Sequence, residues 1–336
     1  MRIVFFEIED FEQTYLAQAL TEHELIFSSE PLTADTAHLA AQAQAVSIFV
    51  YSQVDKTILA QLPELKLITT RSMGFNHIDI KACQELGVSV AYVASYGERT
   101  VAEHTFALIL TLSRKIFAAH QRIEKGIFDY RGLQGFDLCG KTIGLIGGGK
   151  IGLNVARIAR GFAMNVLVTD PFPRPELAKE IGFTYVTLEE LLARADIVSL
   201  HAPYTTANHH LINSAKFKLM KPGSLLINTA RGALVDTQAL LQTLESGRLA
   251  GAGLDVLEEE CAIREESELM SKGFPPNCDL GTVVRNHILI NRDDVIITPH
   301  IAFNSREAVE RIMATTVESL KGFSAGKLIN LVPPPK

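Results

Sequence analysis

Residues 142–152, TIGLIGGGKIG, constrain the fold of this chain more than any other stretch. The apolar run at 143–146 leads into glycines at 147, 149 and 152, and 153–162 then carries apolar residues at helical spacing. That order reads as strand, tight turn and helix. In such a unit Gly147 makes the turn, Gly149 lets the backbone approach a diphosphate, and Gly152 lets the helix lie against the strand. The helix N-terminus then faces an anion. The glycine pattern alone does not separate a nucleotide site from an ordinary turn. The next apolar run, 165–169, adds the discriminating feature, because it ends in Asp170, eighteen residues beyond Gly152. A carboxylate there accepts hydrogen bonds from a ribose 2′-hydroxyl and repels a 2′-phosphate, so NAD is expected rather than NADP.

The flanking sequence repeats the same grammar. From residue 1, short apolar runs (3–6, 25–27, 46–50, 65–70, 88–91) alternate with helical patterns (11–20, 36–42, 55–61, 79–85). A single helix is expected over 100–122 as a connector, followed by a glycine-punctuated loop at 126–140. Beyond the glycine turn, strands are expected at 184–186, 196–200, 224–228, 250–254 and 295–298, with helices at 188–193, 214–219 and 237–246. Such alternation predicts parallel sheets covered by helices on both faces. The expected architecture is α/β, two doubly wound parallel-sheet domains with a cleft between them. One comprises 1–99 plus 299–336, returned to by a helix over 305–322, and the other 100–298. Between 260 and 294 the pattern breaks down, and an extended insertion is expected there with a short strand or helix near 283–290.

At 336 residues the chain is long enough for about two cores. A net charge of −6 without any basic block argues against nucleic-acid or membrane-surface binding. The N-terminus, MRIVFFEIEDFEQ, turns acidic too early for a signal peptide, and no apolar run approaches membrane-spanning length, so a cytoplasmic location is expected. The cysteines at 83, 139, 261 and 278 form no metal-ligand spacing; they read as buried or free thiols, and no metal is expected.

In open α/β sheets, ligands sit at the carboxyl ends of strands. Four strand ends here carry unusual groups: His201-Ala202-Pro203, Thr229-Ala230-Arg231-Gly232, the run from Asp255 to Glu260, and Pro299-His300. A guanidinium, a carboxylate and an imidazole at one rim suit a keto acid. Arg231 can grip a carboxylate and polarise a carbonyl. His300 can give or take the hydroxyl proton. Glu260, bonded to the imidazole, would favour its protonated form, although spacing alone does not choose among Glu258, Glu259 and Glu260. His201 reads first as a strand-end cap, and His104 as a packing or domain-interface residue on its helix.

The conjunction of GGGKIG, the terminal Asp170, LHAPYTTANHHLIN, NTARGALVD, GLDVLEEE and TPHIA, in that order, resembles the D-isomer-specific 2-hydroxyacid dehydrogenases over nearly the whole chain. The resemblance implies an NAD-dependent oxidoreductase acting on a small 2-keto or 2-hydroxy acid, and a homodimer. It implies Arg231, Glu260 and His300 as the catalytic set. Around the cofactor it implies the glycines, the backbone of Lys150 and Ile151, Asp170 on the ribose, Ala202, Pro203 and Asn208 nearby, and Thr229, Ala230, Arg231 and Asp255 on the nicotinamide side. Tyr96, and Ser72-Met73-Gly74 following Arg71, resemble the substrate contacts of the D-lactate dehydrogenase branch, together with Arg231. Cys261 stands where a proline commonly follows the glutamate, and GERT at 97–100 departs from that branch. Glyoxylate, hydroxypyruvate or phosphoglycerate oxidoreduction, and an NAD-sensing corepressor-like protein, are the rival readings.

Overall fold

The computed structural model describes residues 1–259 and 279–333. They form two compact units, 1–96 with 304–336 and 97–303. The sequence expects the breaks after 99 and 298; the later second break leaves His300 in the second unit.

In the first unit, β1 (Arg2–Phe5), β2 (Glu24–Phe27), β3 (Ala45–Ile48), β4 (Leu67–Thr70) and β5 (Ser89–Tyr92) pair in the parallel order β2-β1-β3-β4-β5. Every residue of β3 and β4 is buried, as expected of strands covered on both faces. The crossovers hold α1 (Asp10–Ala19), a 3-10 turn (Ala37–Ala40), α2 (Lys56–Leu59) and α3 (Ile80–Glu85). Asp55 and Asp79 start α2 and α3 by accepting the amides of Ile58 and Ala82, which satisfies donors the helix itself cannot.

The second unit begins with α4 (Glu98–Ser113) and α5 (Ile116–Glu124). These replace the single helix expected over 100–122. The break has a local cause: the amide of Phe136 takes the Ser113 carbonyl at 3.0 Å, and Lys115 turns left-handed with φ 54°. Seven parallel strands follow: β6 (Thr142–Ile146), β7 (Asn165–Thr169), β8 (Thr184–Tyr185), β9 (Ile197–Leu200), β10 (Ser224–Asn228), β11 (Leu249–Leu254) and β12 (Val295–Ile297). Their order is β12-β11-β10-β9-β6-β7-β8. Strand order reverses beside β6, which has β7 on one side and β9 on the other. Between strands lie α6 (Lys150–Gly161), α7 (Pro175–Ile181), α8 (Leu188–Arg194), α9 (Ser214–Leu219), α10 (Thr237–Glu245) and α11 (Leu280–Ile290). Sequence reading missed α7, although proline at its first position and Gly182 at φ 85° mark its two ends. It left strand and helix open near 283–290, and the segment is helical. The core packs on both faces of this sheet, with Leu191, Leu192, Leu226 and Leu234 fully buried on one and Ile143, Leu145, Val155 and Ile197 on the other. Each such side chain contributes about 1.5–3 kcal/mol of transfer free energy.

Residues 304–333 return to the first unit. Ser305 caps α12 (Arg306–Ser324), which packs on β4 and α1. The chain then runs antiparallel along β5: Tyr92 N–H donates to Asn330 O at 2.9 Å and Val332 N–H to Val90 O at 3.0 Å. That pairing covers an edge strand which would otherwise offer unpaired groups. Among the described residues, no helix is long and apolar enough to cross a membrane.

Candidate active site

The glycine turn sits where strand order reverses, between β6 and β9. Gly147 has φ 105°, and a Cβ on it would lie 2.7 Å from the His201 carbonyl carbon, so both its conformation and its contact demand glycine. A Cβ on Gly152 would lie 2.1 Å from the Gly147 carbonyl oxygen, which is why α6 can approach the turn. Gly149 is different: a Cβ there would meet no protein atom within 4 Å. It caps α6 without a side-chain hydrogen bond, so the first-turn amides at Lys150 and Ile151 keep their donor capacity. An open glycine surface over a helix N-terminus fits a dinucleotide diphosphate. Lys150 pairs with Glu98 at 3.2 Å, while the Ile151 side chain packs into the core.

Asp170 follows β7. Its carboxylate accepts the Gly148 amide at 2.7 Å and the Phe172 amide at 2.8 Å, so it both ties down the glycine turn and caps its own turn. Across the crevice, the loop carrying Ala202 and Pro203 is fixed by Asn208, which donates to Pro203 O at 2.8 Å and accepts the Thr205 amide at 2.7 Å. His201 sits beneath it with its Nε2 2.9 Å from Ser199 Oγ. Its Nδ1 is buried without a partner, and burial pushes the imidazole down to about 3, so it is neutral.

Further along the same rim, three strands end in register: Asn228 lies beside Leu254, and Leu254 beside Ile297. Arg231, Asp255 and His300 emerge one to three residues beyond these ends. Adjacent strands lie about 4.8 Å apart, so the ends of β10 and β12 are roughly 10 Å apart. The Asn228 side chain shapes the first exit, accepting the Ala230 amide and donating to Arg231 O. Thr229 is buried against Thr105, their hydroxyls 3.1 Å apart. The exposed Arg231 guanidinium donates to Ala230 O at 2.6 Å, and no described carboxylate lies within ion-pair distance of it. A Cβ on Gly232 would lie 2.1 Å from Leu257, so the arginine turn and the β11 exit touch backbone to backbone.

Asp255 is 1% exposed and organises the last exit. One carboxylate oxygen accepts Thr298 Oγ1 at 2.5 Å and the Ile301 amide at 2.9 Å; the other accepts the Ala302 amide at 2.9 Å. His104 Nε2 stands 3.0 Å from Thr298 Oγ1 and 3.4 Å from Asp255. His300, held at φ 53°, donates its amide to Asp255 O and Thr298 O, each at 2.9 Å. A histidine in left-handed backbone costs about 1 kcal/mol or more and persists where its surroundings determine it. Sequence reading placed His104 in packing and Asp255 beside the cofactor; the structure binds both into the turn that presents His300. Glu260 lies outside the described residues.

In the first unit, Ser72 Oγ donates to Gly74 O at 2.6 Å and stands 2.6 Å from Thr70 Oγ1. The Met73 and Gly74 amides have no acceptor among the described residues. Tyr96, half-buried, accepts Arg311 Nε on its carbonyl at 2.6 Å. One cluster escaped the sequence reading: ligand atoms of His209, His210 and Glu258 lie within 4.8 Å of one another. Adjacent histidines were visible, but the carboxylate is 48 residues away.

A glycine turn at the reversal point with an acid after the second strand is the arrangement of a dinucleotide-binding sheet, and an arginine and a histidine leave the same rim. Residues 106–302 match the NAD-binding domain of the D-isomer specific 2-hydroxyacid dehydrogenases. The chain belongs to that family and is an NAD-dependent enzyme. It is 37% identical to D-lactate dehydrogenase of Escherichia coli over 97% of this chain and 98% of that one. Glyoxylate reductase of Thermococcus litoralis is 34% identical over 85% and 82%. The structure of D-lactate dehydrogenase from Aquifex aeolicus, complexed with NAD and lactic acid, superposes with TM-score 0.86 at 36% identity, over 99% of this chain and all of that one.

Proposed function

We propose that the enzyme interconverts pyruvate and D-lactate, with His300 as general acid and base, Arg231 as binder of the substrate and its developing oxyanion, and Glu260 as partner of the imidazole. The observation that carries the chemistry is the in-register ending of β10, β11 and β12, which sends Arg231 and the Asp255-held His300 turn to one rim. The choice of pyruvate rests on likeness to D-lactate dehydrogenases of full length.

Bound NAD supplies the hydride acceptor, and NADH the donor. The diphosphate is assigned to Gly147, Gly149, Gly152 and the amides of Lys150 and Ile151, and the adenosine ribose to Asp170. The nicotinamide side is assigned to Ala202, Pro203, Asn208, Thr229, Ala230, Arg231 and Asp255. As negative charge grows on the substrate carbonyl oxygen, Arg231 and protonated His300 stabilise it, and His300 delivers its proton there. In oxidation neutral His300 removes the hydroxyl proton. The substrate carboxylate is assigned to the Ser72–Met73–Gly74 turn, whose two amides lack protein acceptors among the described residues, with Tyr96 as a further contact.

The test follows NADH absorbance with pyruvate, glyoxylate, hydroxypyruvate and phenylpyruvate. Pyruvate is expected to give the highest kcat/KM, and His300→Ala to lower kcat by about 10²–10⁴-fold with NADH affinity kept. Preference for glyoxylate would move the enzyme to its glyoxylate-reducing relatives. No turnover with any of the four, alongside tight NADH binding, would overturn the choice of a short 2-keto acid.

The expected second copy of the chain is supported by the apolar surface on and after α5. Ile116, Phe117, Ile123 and Ile127 are exposed there, and Phe128 is 96% exposed. Sedimentation of a single monomeric species at micromolar concentration would remove the dimer.

A further inference from the structure

We propose that His209, His210 and Glu258 form a binding site for a divalent transition cation of the zinc class, distinct from the residues assigned to hydride transfer. Two neutral imidazoles and one carboxylate are a donor set that Zn²⁺ accepts, with water completing a tetrahedron.

The backbone explains why neighbouring histidines can serve one ion. In extended chain, successive side chains point to opposite faces. His209 is extended at φ −56° and ψ 131°, but His210 is left-handed at φ 52°. That reversal brings both rings to one side, stacked with centroids 3.8 Å apart and planes at 23°. The turn is pinned by the His210 amide, which donates to Ala233 O at 2.9 Å.

The carboxylate is independently aimed. Glu258 Oε2 accepts the Thr237 amide at 3.0 Å and its hydroxyl at 2.5 Å, which leaves Oε1 toward His210 Nε2 at 2.6 Å. Asn286 Nδ2 holds the Glu258 carbonyl at 2.7 Å, and Tyr204 Oη stands 3.5 Å from His209 Nδ1. Thr237 behind Glu258 and Tyr204 beside His209 are the kind of hydrogen-bonded support that metal ligands usually have. Ligand atoms around a tetrahedral zinc are roughly 3.3 Å apart, so Nε2 and Oε1, now 2.6 Å apart, must separate by about 0.7 Å and the exposed His209 ring must swing in. The ion would fasten the β9 exit to the β11 exit beside the Arg231 turn.

A polar clamp between His210, Glu258 and Thr237 needs neither a metal nor His209, and the experiment exploits that difference. The whole 336-residue protein, stripped with chelator and carrying Cys139→Ser to silence the thiol that is exposed among the described residues, is titrated with ZnCl₂ by calorimetry and followed by thermal unfolding. One zinc per chain and a raised Tm are expected. His209→Ala should weaken binding by at least about tenfold and abolish the Tm rise, and Glu258→Gln should do the same. Co²⁺ should give tetrahedral visible absorption that His209→Ala removes. Zinc binding of unchanged affinity in His209→Ala, or no stoichiometric binding, overturns the site. These readouts do not depend on turnover.

Discussion

The two sheets reverse strand order in the same way and use the resulting crevice in opposite ways. In the second unit the gap between β6 and β9 is kept open by glycine: Gly147 lets the backbones meet and Gly149 leaves a bare surface. In the first unit the equivalent gap, between β1 and β3, is filled from within. Glu7, at φ 54°, turns its carboxylate across the strand ends to accept the amides of Phe49 at 2.9 Å and Tyr51 at 2.7 Å, and the Ser52 hydroxyl. Fully buried Arg71 closes the space behind it, donating to Phe6 O, Glu7 O and Ser47 Oγ. Glu12 stands 4.0 Å from Arg71, and burial raises its carboxyl above the usual range despite that cation. Topology therefore supplies the crevice in both units, and a glycine or a carboxylate after the first strand decides whether a ligand or the protein occupies it.

The largest expected effect comes from closing the open crevice. Gly147→Ala places a methyl against the His201 backbone in a disfavoured conformation, and should weaken NADH binding more than about 100-fold and destabilise the protein by about 2–4 kcal/mol. NADH fluorescence titration and urea unfolding read both; normal affinity would mean that the turn does not need glycine. Opening the filled crevice comes next. Glu7→Gln removes the charge facing Arg71 and an acceptor for the half-buried Phe49 amide and the buried Ser52 hydroxyl, at a cost of about 3 kcal/mol, with NADH affinity within about twofold of the parent. A comparable loss of NADH affinity would end the claim that the two crevices are independent. Smallest at neutral pH is the effect of His201, which takes a proton near 6.5 when unfolded but only near 3 when folded. The unfolded chain then binds the extra proton, so stability falls by at most about 1.4 kcal/mol per unit as pH drops from 6.5 toward 3. His201→Asn should flatten that part of the curve of urea midpoint against pH; parallel curves would show that the imidazole is not the acid-labile group.

The parts of this molecule that could be read from the chain are those written in contiguous residues. Strand, glycine turn and helix at 142–162 form a local pattern, and so do the apolar strands that end in Thr229-Ala230-Arg231 and Pro299-His300. What escaped reading is made by partners far apart in sequence. Nothing in the stretch around Glu7 signals its role, which appears only when Phe49 and Tyr51, 42 and 44 residues away, are brought to it. Arg71 stands at the head of a candidate substrate loop, and its side chain is the largest fully buried one among the described residues. The connector helix broke because Phe136 competes for the Ser113 carbonyl, a contact across 23 residues that no helical periodicity records. Asp255 fits its motif, yet its hold on Thr298, Ile301 and Ala302 becomes visible only when β11 and β12 lie side by side.

The antiparallel pairing of the chain's end with β5 bears on the order in which the protein is made. Domains form largely as they leave the ribosome. The second unit is continuous over 97–303 and has all its strands once β12 emerges. The first unit, though its five strands are synthesised earliest, waits for α12 to cover β4 and for residues 330–332 to cover its edge. Throughout synthesis of the second unit, the earlier-made strands thus carry an uncovered β5, an edge open to misassembly in a nascent chain.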